Sequence, residues 1–335
     1  MDRTRPAETK LVICVRFRFS VWTAPPELAG RIRERWPEMR VVHLPDYNGL
    51  DEEVTDADIF AGFLLRAEQL MAARKLKWVH CTAAAVSQWM YPEFRRSGVA
   101  LTNASGIHAI PMSEHILGTL VALARRFPDC YGYQQKGHWA SQDLWEAPIR
   151  PRELHGQTLV CIGFGAVGRA VAKAVRPLGM RVIGVTRSGQ GDSALAEKIL
   201  PVAKMAEALP QADFVVLAAP ETPETNHMIG AGEFARMKPS AYFINVARGA
   251  LVDEPALIAA LERRAIAGAA LDVTTEEPLP PESPLWKTEN LFITPHVSAV
   301  SDPLWERQAD MLIENLERWF SGGELVNRVD LARGY

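Results

Sequence analysis

Cysteine is scarce in this sequence. Four occur in 335 residues, Cys14, Cys81, Cys130 and Cys161, and no two stand at CxxC spacing. That excludes a metal knuckle and a dithiol redox motif, so no metal is expected, and reduced thiols in a cytoplasm are the expectation. Long apolar runs are also missing. None approaches the roughly 18 residues that a bilayer requires, and the opening MDRTRPAETK runs into LVICV without the apolar core of a signal peptide. A surplus of either charge is missing too. The 37 Lys and Arg against 40 Asp and Glu leave a net charge of -3, which argues against nucleic acid or a membrane as a partner recruited by bulk charge. There is no fixed-period repeat and no low-complexity tract.

What is present is alternation. LVICVRF, RVVHL, IFAGFLL and KWVHCTA read as strands, with ELAGRIRERW and AEQLMAARK as helices between them. Around TNASGIHAIP the texture turns to Gly, Pro and turn residues. MSEHILGTLVALARRF follows, a helix with a broad apolar stripe that suits either a core or a subunit interface. A second series holds six strand candidates: TLVCIGF, RVIGVT, FVVLAAP, AYFINVA, GAALDV and LFITPH. AVGRAVAKAVRPLG and EPALIAALERR are helices between them, and LWERQADMLIENLERWFSGG is a last helix beyond the set, ending in a C-cap signal. The expected fold is α/β, with two Rossmann-like domains built on doubly wound parallel sheets. Residues 1–104 with 300–335 form a flavodoxin-like, substrate-binding domain, interrupted by a dinucleotide-binding Rossmann domain at 105–299.

GFGAVG, at Gly163, Phe164, Gly165, Ala166, Val167 and Gly168, follows a strand and opens a helix. The first glycine makes the tight turn, the second lets backbone approach a pyrophosphate, and the third lets helix and strand pack closely. The helix N-terminus then offers N–H groups and partial positive charge to phosphates. Some twenty residues on, an acid is expected to bind the adenosine ribose of NAD. The sequence offers Thr186, Arg187 and Ser188 there instead. A 2'-phosphate would be repelled by an acid and held by the guanidinium fork of Arg187. One charge-assisted contact of about 1.5–3 kcal/mol predicts roughly a ten- to hundredfold preference for NADP over NAD. A solvated loop arginine is the plainer alternative.

Three polar residues close strands of the same domain: Arg248 after INVA, Glu277 after LDVTTE and His296 after LFITP. An arginine can hold carboxylate and carbonyl oxygens in a fork. A histidine can give and take a proton near neutrality, and a carboxylate beside it favours the imidazolium. Each also has an ordinary reading: a surface pair for Arg248, a solvated acidic loop for Glu277, a structural histidine for His296.

GFGAVG, NVARGALVDEPAL, GAALDVTTEEPLPPESPLW and ITPHVSA, in this order and spacing, resemble the D-isomer-specific 2-hydroxyacid dehydrogenase family. TNASGIHAIPMSEHILG and NRVDLARGY extend the resemblance to nearly the whole chain. It implies an active site in the interdomain cleft, with Arg248 binding the carboxylate and carbonyl of the substrate, Glu277 paired with the histidine, and His296 as acid/base. It implies that Asp272 orients the nicotinamide carboxamide and that Pro220 and Thr225 line the adenosine and pyrophosphate. Ala219, Val246 and Ala247 count among the cofactor-binding residues. A loop whose N–H groups hold the substrate carboxylate falls at TAAAVSQW, on Ala84 and Ala85.

The sequence departs from the family in that loop, with Ala85 for a common glycine and Ser87 for a common aspartate. Alanine keeps the N–H but disfavours positive φ. Ala299 also replaces a glycine after the histidine. Trp89 and Met90 read as packing, and Arg66 as a solvated helix-start arginine. The reading is an NADP-preferring but NAD-tolerant enzyme, reversibly reducing small 2-oxo acids such as glyoxylate or hydroxypyruvate to D-2-hydroxy acids, as a cytoplasmic homodimer. A non-catalytic dinucleotide sensor of the same fold is the alternative. Turnover of 2-oxo acids separates the two.

Overall fold

A computed structural model describes residues 5–334. The outer ends of the expected first domain, residues 1–4 and Tyr335, lie outside the described residues. The chain divides into two compact units. One runs up to Ile107 and resumes from Val300, and the other is His108–Ala299.

The first unit alternates strand and helix. β1 (Lys10–Cys14), α1 (Pro26–Arg35), β2 (Arg40–Leu44), α2 (Leu50–Glu53), β3 (Ile59–Gly62), α3 (Ala67–Ala72), β4 (Trp78–Cys81), α4 (Pro92–Arg96) and β5 (Ala100–Asn103) follow in chain order. The five strands are parallel, in the order β2-β1-β3-β4-β5, the flavodoxin-like arrangement. Runs such as KLVIC, IFAG and WVHC are buried along their whole length, because helices cover both faces. β5 was not anticipated. Its sequence ALTN merges into the turn-rich TNASG, which hides a strand only four residues long.

The second unit begins with α5 (Ala109–Ala124), α6 (Phe127–Gln135) and α7 (Ser141–Glu146). It continues as β6 (Thr158–Ile162), α8 (Ala166–Val175), β7 (Arg181–Thr186), β8 (Lys198–Pro201), α9 (Met205–Ala208), β9 (Phe214–Leu217), α10 (Ala231–Phe234), β10 (Tyr242–Asn245), α11 (Glu254–Glu262), β11 (Gly268–Leu271) and β12 (Leu291–Ile293). All seven strands are parallel, ordered β12-β11-β10-β9-β6-β7-β8. The six anticipated strands are there. The seventh, β8, reads KILP, an edge strand closed by proline, too short and polar to stand out. The strand order reverses between β6 and β9, the switch point at which ligands of such sheets bind.

α12 (Leu304–Ser321) belongs to the first unit. It packs on α1, where Arg31 pairs with Asp310 at 2.7 Å and the rings of Trp36 and Phe320 meet at 5.5 Å. Gly322 caps it in the left-handed region at φ 75°. Residues beyond it return to the sheet, where Val329 N–H donates to the Leu101 carbonyl at 2.8 Å. No helix among the described residues is long and apolar enough to cross a membrane.

Candidate active site

The glycine-rich turn after β6 has the division of labour its spacing predicts. Gly163 has φ 95°, and a Cβ there would collide with the backbone of Ala218 and Ala219 on the neighbouring strand end. Gly168 packs the first turn of α8 onto β6, where a Cβ would lie 2.5 Å from the Gly163 carbonyl oxygen. Gly165 is different. Nothing lies within 4 Å of its would-be Cβ, and it is the N-cap of α8. The turn is held shut by two residues and left open at the third, beside N–H groups that the helix itself cannot satisfy. Those features fit a dinucleotide pyrophosphate. Phe164 turns the other way, buried against Gly184 of β7, so its side chain belongs to the core and only its backbone can serve a ligand. Val246 and Ala247 are likewise buried, while Ala166, Val167 and Ala219 are half-exposed.

At the end of β7 the hydroxyls of Thr186 and Ser188 are used locally. Thr186 Oγ1 accepts from Gly189 N–H and donates to the Gln190 carbonyl, both at 3.0 Å, and Ser188 Oγ accepts from Gln190 N–H. The exposed Arg187 lies within electrostatic reach of Glu224, whose carboxyl is pulled below its usual range by a hydrogen bond from Thr222 and also by the Arg187 charge. Thr225 Oγ1 accepts from Thr222 N–H at 2.8 Å and donates to the Pro220 carbonyl at 2.9 Å, tying that loop together.

Arg248, Glu277 and His296 emerge from the C-terminal ends of β10, β11 and β12, which are neighbours in the sheet. His296 Nδ1 and Glu277 Oε2 are 2.6 Å apart, and Glu277 Oε1 accepts from Thr274 N–H at 3.0 Å. Burial raises the Glu277 carboxyl, but hydrogen bonds from His296 and Thr274 and the charges of His296 and Arg248 outweigh it and hold the group below its usual range. Glu277 is therefore a carboxylate at neutral pH. The fully buried Asn245 shapes the arginine loop, accepting from Ala247 N–H and donating to the Arg248 carbonyl, both at 2.9 Å. Gly249 presses that loop onto the next, since a Cβ there would overlap the Thr274–Thr275 backbone. A glycine after the arginine is what lets Arg248 stand beside Glu277.

Asp272 holds the histidine. Its carboxylate accepts from Thr294 Oγ1 at 2.6 Å, Val297 N–H at 3.0 Å and Ser298 N–H at 2.9 Å. Its carbonyl accepts from His296 N–H at 2.8 Å, and His296 sits in the left-handed region at φ 53°. Burial works against the Asp272 charge, yet hydrogen bonds from Ser298, Thr294 and Val297 win and keep the carboxyl ionised. The side chain is 0 % exposed. In this structure its role is to anchor the 294–298 turn. His115 on α5, unnoticed in the sequence inside an apolar stripe, joins this cluster. Thr294 spends its proton on Asp272, so it accepts from His115 Nε2 at 3.3 Å. Burial lowers the His115 pKa and the Asp272 charge partly restores it.

In the first unit, Ala84 and Ala85 are exposed on the loop after β4. Ala85 is not among the residues with positive φ, so alanine stands there without the strain that its replacement of a glycine implied. Trp89 is buried against Phe60 and Phe94. Arg66 heads α3 and pairs with Asp51 at 3.0 Å on the surface. Ser87 begins a short 3-10 turn and Ala299 is half-exposed.

The profile of the D-isomer-specific 2-hydroxyacid dehydrogenase NAD-binding domain matches residues 117–298. A glyoxylate reductase of Korarchaeum cryptofilum is 34% identical over 287 residues, covering 84% of this chain and 85% of that one. Among solved structures, a D-isomer-specific 2-hydroxyacid dehydrogenase family protein of Aeromonas salmonicida superposes with a TM-score of 0.79 at 31% identity, covering 97% and 99% of the two chains. A homologue from Xanthobacter autotrophicus, solved with NADPH and MES, gives a TM-score of 0.83 at 27% identity, covering 98% and 100%.

Proposed function

Because the chain belongs to the D-isomer-specific 2-hydroxyacid dehydrogenase family, oxidoreductases acting on CH–OH donors, we propose that it reduces small 2-oxo acids, glyoxylate or hydroxypyruvate among them, to D-2-hydroxy acids. The 2.6 Å pair of His296 and Glu277 beside Arg248 carries this reading. With Nδ1 held by a carboxylate, the imidazole keeps Nε2 for proton exchange with substrate. Arg248 supplies the fork for the carboxylate and carbonyl oxygens. As the carbonyl gains electrons its oxygen takes the Nε2 proton, and Glu277 stabilises the imidazolium before transfer. A nicotinamide dinucleotide, for which the glycine turn before α8 fits, supplies the hydride when bound. To the amides of Ala84 and Ala85 we assign the substrate carboxylate, which makes the first unit substrate-binding and the second dinucleotide-binding.

The NADP preference is part of the same reading. It is supported by Thr186-Arg187-Ser188, a strand end without a carboxylate. A homodimer is supported by exposed apolar side chains clustered in sequence on α5–α7 and the turn before α7, including Ile110, Phe127, Tyr131, Trp139 and Trp145. A cytoplasmic setting is supported by four cysteines that are free thiols.

The test is a panel of 2-oxo acids assayed by loss of NADPH or NADH absorbance, with the chirality of the product determined. Turnover with glyoxylate or hydroxypyruvate, faster with NADPH, is expected. Tight cofactor binding with no turnover of any 2-oxo acid would reject the enzyme in favour of a dinucleotide sensor.

A further inference from the structure

In the loop at residues 82–85 all four carbonyls accept, whereas Thr82 N–H donates to the Gly62 carbonyl at 3.3 Å. Gln308 Nε2 donates to the Thr82 carbonyl at 2.6 Å, Ala104 N–H to the Ala83 carbonyl at 3.1 Å, Asn103 Nδ2 to the Ala84 carbonyl at 2.8 Å, and Gln88 Nε2 to the Ala85 carbonyl at 3.4 Å. The Ala83 backbone hydrogen-bonds the Cys81 thiol, and among the described residues the amides of Ala84 and Ala85 donate to no backbone carbonyl. Four carbonyls are pinned by the protein while adjoining N–H groups remain open to an anion.

The first of those pins ends a buried chain of polar groups whose direction is fixed from its two ends. Trp78 Nε1 can only donate, and it donates to Thr102 Oγ1 at 2.9 Å. The Thr102 hydroxyl lies also 2.9 Å from His80 Nδ1, and since the Gln308 hydrogen bond raises the His80 pKa and so takes the imidazole proton, Thr102 gives its own to Nδ1. That assigns the proton of the neutral imidazole to Nε2. His80 is wholly buried, and the Gln308 amide acts on it as a hydrogen-bonding neighbour. Their contact falls short of full hydrogen-bond geometry, and neither His80 Nε2 nor Gln308 Oε1 has another partner. Matching donor to acceptor turns Oε1 toward the imidazole and leaves the amide NH2 for Thr82. Gln308 is one of two polar residues, with Asn315, on the buried stripe of α12 formed otherwise by Leu304, Ala309, Leu312 and Leu316.

We propose that Gln308 is a positioning residue for substrate: the chain Trp78–Thr102–His80–Gln308–Thr82 sets the polarity of the loop, so that its carbonyls face inward and the amides of Ala84 and Ala85 are presented to a carboxylate. This rests on the assignment of that loop to substrate made above. Gln308 touches neither substrate nor cofactor. Its removal therefore weakens the anion and leaves the chemistry and the dinucleotide site alone.

Two variants of the full chain separate this role from plain packing. Gln308→Met keeps the volume and removes both polar atoms. Gln308→Glu keeps shape and the acceptor for His80 and replaces the donor to Thr82 by a carboxyl, so it reports on the loop even where Gln308→Met lowers Tm. The probe is oxamate, a carboxylate with the shape of a 2-oxo acid, titrated by calorimetry in the presence of NADPH, alongside KM and kcat. Both variants are expected to bind oxamate about tenfold more weakly, the effect of one anchored hydrogen bond, and to raise KM by the same factor. Smaller changes in kcat and an unchanged Kd for NADPH are expected. Wild type and both variants binding oxamate equally would overturn the role of Gln308 alone. A wild type that turns over 2-oxo acids but gains no affinity for oxamate from the loop, shown by an Ala85→Pro variant of equal affinity, would overturn the loop assignment and the proposal with it.

Discussion

His296 Nδ1 lies 2.6 Å from Glu277 Oε2, and the other oxygen of that carboxylate is held by Thr274 N–H. The histidine is oriented by a charge, not merely by a hydrogen bond. Replacing His296 by alanine is expected to lower kcat by about 10²–10⁴-fold, the usual contribution of a positioned acid, while Kd for NADPH is retained. Glu277→Gln keeps the shape and loses the charge. Reductive turnover then falls as well. Steady-state rates across pH check both, and an active His296→Ala enzyme would void the assignment.

Gly249 and the Thr274–Thr275 backbone are in direct apposition. Gly249→Ala adds one methyl group where two loops already touch, so the loops must part. The expected cost is about 1–3 kcal/mol of stability, with a loss of turnover larger than that of substrate-independent cofactor binding, because Arg248 and Glu277 ride on the separated loops. Thermal unfolding and kcat, measured on the same preparation, give the answer. An unchanged kcat would mean that the seam does not position the arginine.

Arg187 is the residue to test for cofactor choice. Arg187→Ala is expected to weaken NADPH by roughly ten- to hundredfold and leave NADH nearly unaffected. Equal losses for both dinucleotides would point to a general phosphate or structural contribution, and NADH preferred by the wild type would sink the assignment. Glu224, whose carboxyl feels the Arg187 charge, is absent from a reading confined to residues 186–188. It reaches this strand end from another loop.

That difference shows what was legible in the sequence. The glycine turn, the long buried strands and the Arg–Glu–His order could be read because each depends on residues near one another in the chain. β5 and β8 were hidden because four residues carry too little periodicity to separate from their turns. His115 and Gln308 were hidden for a different reason. Each is a polar residue on a helix stripe, and only the fold shows that the stripe ends on Thr294 and Asp272 in one case and on Thr82 and His80 in the other. Asp272 was read from a local motif as a cofactor residue, and its three protein donors, which come from residues 294–298, were not legible there.

Asp272→Asn discriminates these two roles. An amide presents a donor where the carboxylate met only donors, so one of the Thr294, Val297 and Ser298 contacts is lost. A cost of about 1–3 kcal/mol is expected. The 294–298 turn loosens and kcat falls through misplacement of His296, with Kd for NADPH close to wild type. A variant of unchanged stability and markedly weaker NADPH binding would favour the nicotinamide role.

His80 makes the first unit sensitive to acid. Burial lowers its pKa from 6.5 to about 4, opposed only in part by Gln308. Between those values the unfolded chain binds a proton that the folded chain refuses, so stability rises with pH across the window. The contribution is complete above pH 6.5, declines as pH falls, and is gone near pH 4. The difference amounts to about 3 kcal/mol. Native-state amide exchange of the β4 residues Trp78–Cys81, corrected for intrinsic rates and followed from neutral to mildly acidic pH, measures it in the full chain. His80→Gln removes the titrating group, so its β4 protection is expected to start lower than that of wild type and to vary less with pH. Parallel pH dependence in wild type and variant would mean that the acid sensitivity of this sheet comes from its carboxylates and not from His80.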